Sequence, residues 1–128
     1  MAIDGMNHFT VLTTDLEATR TFYVDVLGLA VGPRPHLGFP GVWLYCGGAA
    51  VLHVIAGRPM PADPAGALDH MAFSASELGT TVAKLRAAAI AYTLRRQNES
   101  GTWQLFCFDP SGARVELDFA AHEVEPAA

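Results

Sequence analysis

Polar and apolar positions alternate with a period of two over residues 6–13. Asn7, Phe9 and Val11 fall on one side and His8, Thr10 and Leu12 on the other, the pattern of a strand. The period then lengthens to that of a helix, with Leu16, Thr19, Phe22, Tyr23 and Val26 as its inward stripe. Thr14-Asp15-Leu16-Glu17 has capping-box spacing, and Gly28 is placed to end the helix after about Leu27. Three strand patterns follow, a short one at 29–33 and two longer ones at 42–46 and 49–55. Gly47-Gly48 forms the tight turn between the longer two. Val51, His53 and Ile55 share a face of the last. Before position 42 lies a loop of Pro33, Pro35, Gly38, Pro40 and Gly41, apolar around Phe39.

Residues 57–67 are rich in proline and glycine and read as a linker. The same order then returns: a strand at 68–75, a helix over 77–89 with Leu78, Val82, Leu85 and Ala89 inward, and a strand at 91–95. A polar loop at 97–102 leads to strands at 103–108 and 113–119, joined by the turn Asp109-Pro110-Ser111-Gly112. On the last strand Arg114, Glu116 and Asp118 share a face. The expected organisation is one α+β domain: module 1 at about 4–56, linker 57–67, module 2 at about 68–119, and a loose tail at 120–128.

Composition narrows the class. A chain of 128 residues with 51% hydrophobic residues can bury a core. Net charge is −5 with no Lys/Arg cluster, which argues against nucleic acid as a partner. No apolar run is long enough to span a membrane. With no secretory signal pattern, the expected location is cytoplasmic. Cys46 and Cys107 sit in apolar strand patterns and are expected to be buried free thiols.

The duplication carries the candidate chemistry. His8 and His70 are 62 residues apart, each at the start of a first-strand pattern, and Leu16 matches Leu78 at the same offset. Near the last strands the offset is 63, which matches His53 with Glu116. A lone strand histidine usually belongs to the core or the surface. Three histidines and a glutamate at equivalent places in two copies of one unit are harder to attribute to packing. Equivalent inward residues converge if the copies pack about a pseudo-twofold axis. Two imidazoles and a carboxylate there suit a divalent first-row metal, with positions left for substrate or water. A further histidine can be a fourth ligand or a base. His36 and His122 have no repeat partner and are expected to be non-ligands.

Asn7-His8-Phe9-Thr10-Val11, Phe22 to Leu29, Leu68-Asp69-His70-Met71-Ala72-Phe73 and Asp109 to Leu117 resemble stretches of the vicinal oxygen chelate superfamily. That group includes glyoxalase I, extradiol dioxygenases, methylmalonyl-CoA epimerases, fosfomycin-resistance thiol transferases and bleomycin-resistance proteins. The resemblance covers about residues 4–119. It implies two βαβββ modules, with mixed sheets curled around a cleft and a metal. By match to its motif, His8, His70 and Glu116 are metal ligands. Glyoxalase I has a glutamate ligand that also moves the substrate proton where this chain has His53. His53 can ligate or act as the base.

Against extradiol cleavage, the signature tyrosine before Asp-Pro is Phe106 here, and residues 97–101 hold no histidine. Thr10 and the polar loop with Arg96, Gln97, Asn98 and Ser100 partly match the fosfomycin transferases. Phe39, Trp43, Tyr45 and Trp103 could line the aromatic groove of a bleomycin-type binder. Retention of all four polar positions argues against a metal-free binder, because buried unpaired His and Glu are costly.

The expectation is a metal-dependent, glyoxalase I-like lyase or isomerase acting on a small oxygenated substrate through a metal-stabilised enediolate or oxyanion. Its alternatives are an extradiol-type dioxygenase, a fosfomycin-resistance-like thiol transferase, or, from another class, a small-molecule binding or sequestration protein. The cofactor is a divalent metal ion: Zn, Ni, Fe, Mn or Co. His8, His53, His70 and Glu116 are the candidate ligands, and His53 and Glu116 the candidate proton carriers. Thr10, Trp43, Arg96, Ser100, Trp103 and Phe106 are candidate pocket residues. The expected assembly is a homodimer with the site at or near its interface.

Overall fold

The alternating stretch at the front of the chain forms strand β1 (Phe9–Thr13), with Val11 and Thr13 buried and Thr10 exposed. It opens the first of two compact units in this computed structural model, which describes residues 2–127; the first unit runs to Ala62 and the second starts at Asp63. The boundary falls inside the proline- and glycine-rich stretch. Each unit is a four-stranded mixed sheet with one helical segment, and the order in both is βαβββ.

In the first unit, β1 is followed by helix α1 (Leu16–Thr21), which continues as a π-helical turn (Phe22–Val26). Strands β2 (Ala30–Gly32), β3 (Gly41–Cys46) and β4 (Ala49–Ala56) complete it. The sheet order is β1-β4-β3-β2, with β1 parallel to β4 and the other pairs antiparallel. Gly47 and Gly48, both at positive φ, make the β3–β4 turn. Val11, Leu44, Leu52 and Val54 are buried on the helix-facing side with Phe22 and Tyr23. The opposite side carries His8, Thr10, Trp43 and His53, none of them fully buried.

The second unit repeats this with β5 (Met71–Ala75), α2 (Leu78–Ala87), β6 (Tyr92–Arg96), β7 (Trp103–Phe108) and β8 (Arg114–Phe119). Its order is β5-β8-β7-β6, with β5 parallel to β8. Leu78, Val82 and Leu85 of α2 are buried, as are Leu105, Val115, Leu117 and Phe119 of its sheet. The Asp109 carboxylate accepts from the amides of Ser111 and Ala113, which closes the β7–β8 turn, and Gly112 takes the positive φ it requires.

Four expectations are corrected. The N-cap of α1 is Asp15, which accepts from the Ala18 amide, rather than Thr14 in a capping box. Glu17 instead pairs with Arg20 at 2.6 Å. Thr13, whose hydroxyl accepts from the Asp15 amide, sets the entry to the helix. Cys46 ends β3 beside the turn and is exposed, while Cys107 is buried as expected, and both are free. Ala89 is exposed at positive φ just past α2 rather than inward.

The tail is the fourth. It docks on its own unit: the Glu123 carboxylate accepts from the amides of Glu77 and Leu78 at 3.2 and 2.7 Å, and the Glu123 carbonyl accepts from Trp103 Nε1. Glu77 is in the left-handed region, so α2 has no cap from its own N-cap side chain, and the tail carboxylate substitutes for it.

Candidate functional site: two repeated donor pairs

In the first unit, β1 and β4 run in parallel with Thr10 opposite His53, and β3 places Trp43 on the other side of His53. His8, one residue before β1, lies flat on His53 with ring centroids 3.7 Å apart and planes 12° apart. Trp43 covers the other face of the same imidazole at 4.0 Å. His53 is thus the middle ring of a three-ring stack. Burial, then the neighbouring His8 and the Arg34 charge, push its pKa below the usual histidine value.

The second unit repeats the register. Ala72 stands opposite Glu116, and Phe106 takes the place of Trp43 on the other side. His70, one residue before β5, brings Nε2 to 3.0 Å from Glu116 Oε1. Phe106 meets the His70 ring edge-on at 5.8 Å. Glu116 is 6% exposed, and Gln104 Nε2 donates to its other oxygen at 3.4 Å. Beside it, burial and then Glu116 push Asp118 up to about 6.

A further equivalence was missed in the sequence. His8 Nδ1 donates to Asn7 Oδ1 at 2.7 Å, and His70 Nδ1 donates to Asp69 Oδ2 at 2.7 Å. The residue before each histidine therefore engages Nδ1, as partners of metal-bound histidines do, and leaves Nε2 as the remaining ring nitrogen, which in His70 already meets Glu116 Oε1. The hydrogen bond from His70 holds the Asp69 carboxyl below its usual range, helped by Arg114, whose Nη1 donates to it at 3.0 Å. The signal was available: Asn-His and Asp-His stand at the same 62-residue offset as the histidines.

The donor set fits a divalent cation in kind: imidazole nitrogens with Nδ1 engaged, and a buried carboxylate facing one of them. Among the described residues no group of three or more His, Cys, Asp and Glu is gathered closely enough to hold a metal, and each unit shows one pair. The two imidazoles of the first unit are stacked nearly parallel, so one of them would have to turn before both could hold one ion.

Of the other candidate pocket residues, Thr10 and Trp43 share the His53 face, and Phe106 shares the Glu116 face. Trp103 and Arg96 lie on the opposite, core-facing side of the second sheet. Trp103 pairs with Phe119 and is buried, and Arg96 covers its ring at 4.2 Å while donating to the Ala121 carbonyl. Ser100 is exposed and donates within its own loop to Gln97 and Thr102. His36 lines a cavity in the 33–41 loop, and His122 is exposed in the tail.

Two βαβββ units with this register define the architecture of one family. The family model of the Glyoxalase/Bleomycin resistance protein/Dioxygenase superfamily matches residues 5–117, and the chain belongs to that superfamily. It is 30% identical over 122 residues to Glyoxylase I 4 of Arabidopsis thaliana, which takes in 90% of this chain and 70% of the relative. It is 28% identical over 116 residues to glutathione transferase FosA of Serratia marcescens, with 90% and 80% covered. Among solved structures, a glyoxalase family protein from Bacillus anthracis superposes with a TM-score of 0.76 at 21% identity, covering 94% of this chain and 98% of that one. No helix among the described residues is long and apolar enough to cross a membrane.

Proposed function

We propose that this chain is a metal-dependent enzyme of the superfamily, a glyoxalase I-like lyase or isomerase acting on a small oxygenated substrate. The observation that carries the reading is the repeated pair: His8 against His53 and His70 against Glu116, at equivalent registers, each first-strand histidine held at Nδ1 by the residue before it. His8, His70 and Glu116 are the residues that would hold the metal. When bound, a divalent ion would supply Lewis-acid polarisation of a substrate oxygen.

The chain's own residues handle the proton. His53, with its proton affinity lowered and both faces covered, is neutral at physiological pH and suited to take a proton from carbon next to a carbonyl. Trp43 keeps water off one of its faces and fixes its orientation. Gln104 and His70 hold Glu116 in place. The similarity to glutathione transferase FosA supports a second reading, thiol transfer to a small electrophile, with Thr10 on the His53 face as a substrate contact.

Metal content of the purified protein tests the first step. Bound Zn, Ni, Fe, Mn or Co should fall sharply in His8→Ala and Glu116→Gln, and unchanged metal in both rejects the ligand set. Turnover of methylglyoxal with thiol, set against epoxide opening by the same thiol, separates the two reactions. His53→Ala should lower kcat of whichever reaction is found by about 10²-fold or more while metal content holds.

A further inference from the structure

Between Asp25 and Asp63 the chain has no acidic residue, although its net charge is −5. The basic side chains of that stretch, Arg34 and Arg58, both come to one ring, Phe39, at 5.2 and 4.9 Å from its centroid. Two guanidiniums drawn to one aromatic repel each other, and none of the recorded ion pairs among the described residues gives either a carboxylate partner. The Arg34 Nη2 donates to the Phe39 carbonyl at 2.8 Å, which closes the loop, while its Nε is buried with no acceptor among the described residues.

The sequence makes room for this arginine. A Cβ at Gly41 would stand 3.0 Å from Arg34 Nη2 and would collide with the Val54 carbonyl. Gly41 is two residues before Trp43 on β3, hence on the same face as Trp43 and His53. Arg34, His36, Leu37 and Phe39 line a cavity of about 400 Å³ in this loop. The hollow is open to solvent on one side, so a small molecule could enter it and be met by these side chains.

We propose that the 33–41 loop, with Arg58 beside its Phe39 ring, is a substrate subsite that receives the carboxylate of a small, partly apolar organic acid. It deepens the reading that the chain acts on a small molecule, and it names the class. The chemistry selects the group. One edge of Arg34 is already spent on the Phe39 carbonyl, so a single planar oxyanion can be met by the remaining donors, with the Arg58 charge nearby. Leu37 and the Phe39 ring give the walls apolar character, which suits a carbon skeleton better than the hydrated shell of a phosphate.

Benzoate, benzamide and inorganic phosphate are titrated into the full-length protein, read by the amide shifts of Leu37, Gly38 and Phe39. Benzoate should saturate, with benzamide and phosphate each weaker by about tenfold or more, since a charge-assisted hydrogen bond is lost or badly matched. Arg34→Gln should bring benzoate down to the benzamide level, and Arg58→Gln should weaken it by a smaller factor. Arg34→Lys keeps the charge and packing without the planar fork, and should retain part of the affinity even if Arg34→Gln fails to fold. No saturation by benzoate, equal affinity for benzamide, tighter phosphate binding, or Arg34 variants that bind like the wild type overturn the subsite. The same titration after metal is stripped by chelation, and in His53→Ala, separates this proposal from the metal reading. Unchanged benzoate affinity supports the loop whatever becomes of the metal, and affinity that vanishes with the metal overturns it.

Discussion

At the scale of single residues, the informative side chains are those that hold others. Asp69 engages His70 Nδ1 and is itself held by Arg114, so the imidazole presents Nε2 to Glu116. Asp69→Ala should lower metal affinity by about tenfold or more while leaving the fold intact, as loss of such partners does elsewhere. A metal titration followed by circular dichroism checks both halves of that expectation. The two thiols offer a second prediction. Burial pushes Cys107 up to about 11, while Cys46 is exposed. The thiolate is the reactive form, so at pH 8 iodoacetamide should label Cys46 rapidly and Cys107 only after unfolding. Two fast-reacting thiols in the native protein would contradict the placement of Cys107.

At the scale of elements, the helices end on devices that local rules partly anticipate. Gly28 takes φ +92 where the first helical segment stops, a conformation for which glycine carries no steric penalty. Helix α2 starts differently. Its cap comes from Glu123, 45 residues from Leu78, and the left-handed Glu77 is held there by the same carboxylate. Glu123→Ala should destabilise the second unit by about 1 kcal/mol, the usual worth of an N-cap. Faster amide exchange at the start of α2 would accompany it, and an unchanged melting temperature and exchange pattern would reject the role.

At the scale of the whole molecule, duplication explains why the candidate ligands come in pairs. Two sheets with the same strand order place equivalent residues at the same register, so one evolved position is present twice. Metal that binds only the folded protein stabilises it by mass action. Zn or Ni should therefore raise the melting temperature of the wild type in a concentration-dependent way, and much less in His8→Ala. We also propose a homodimer. Sedimentation should give twice the 13.6 kDa of one chain, and a monomer with full metal loading would reject it.

The order of elements was legible because it is written in local periods: alternation over residues 6–13, a helical stripe from Leu16 to Val26, and the repetition of both 62 residues later. The pairs His8–His53 and His70–Glu116 were legible for the same reason, since a repeat makes equivalent positions visible without coordinates. What each side chain meets depends on residues far away in the chain. Periodicity gives the face of a strand but not its neighbour across the sheet. The stacking of Trp43 and His8 on His53, the placement of Trp103 on the core side, and the docking of the tail on α2 are therefore tertiary facts. So is the meeting of Arg34 and Arg58 at Phe39, two charges 24 positions apart that strand pairing and a loop bring to one ring.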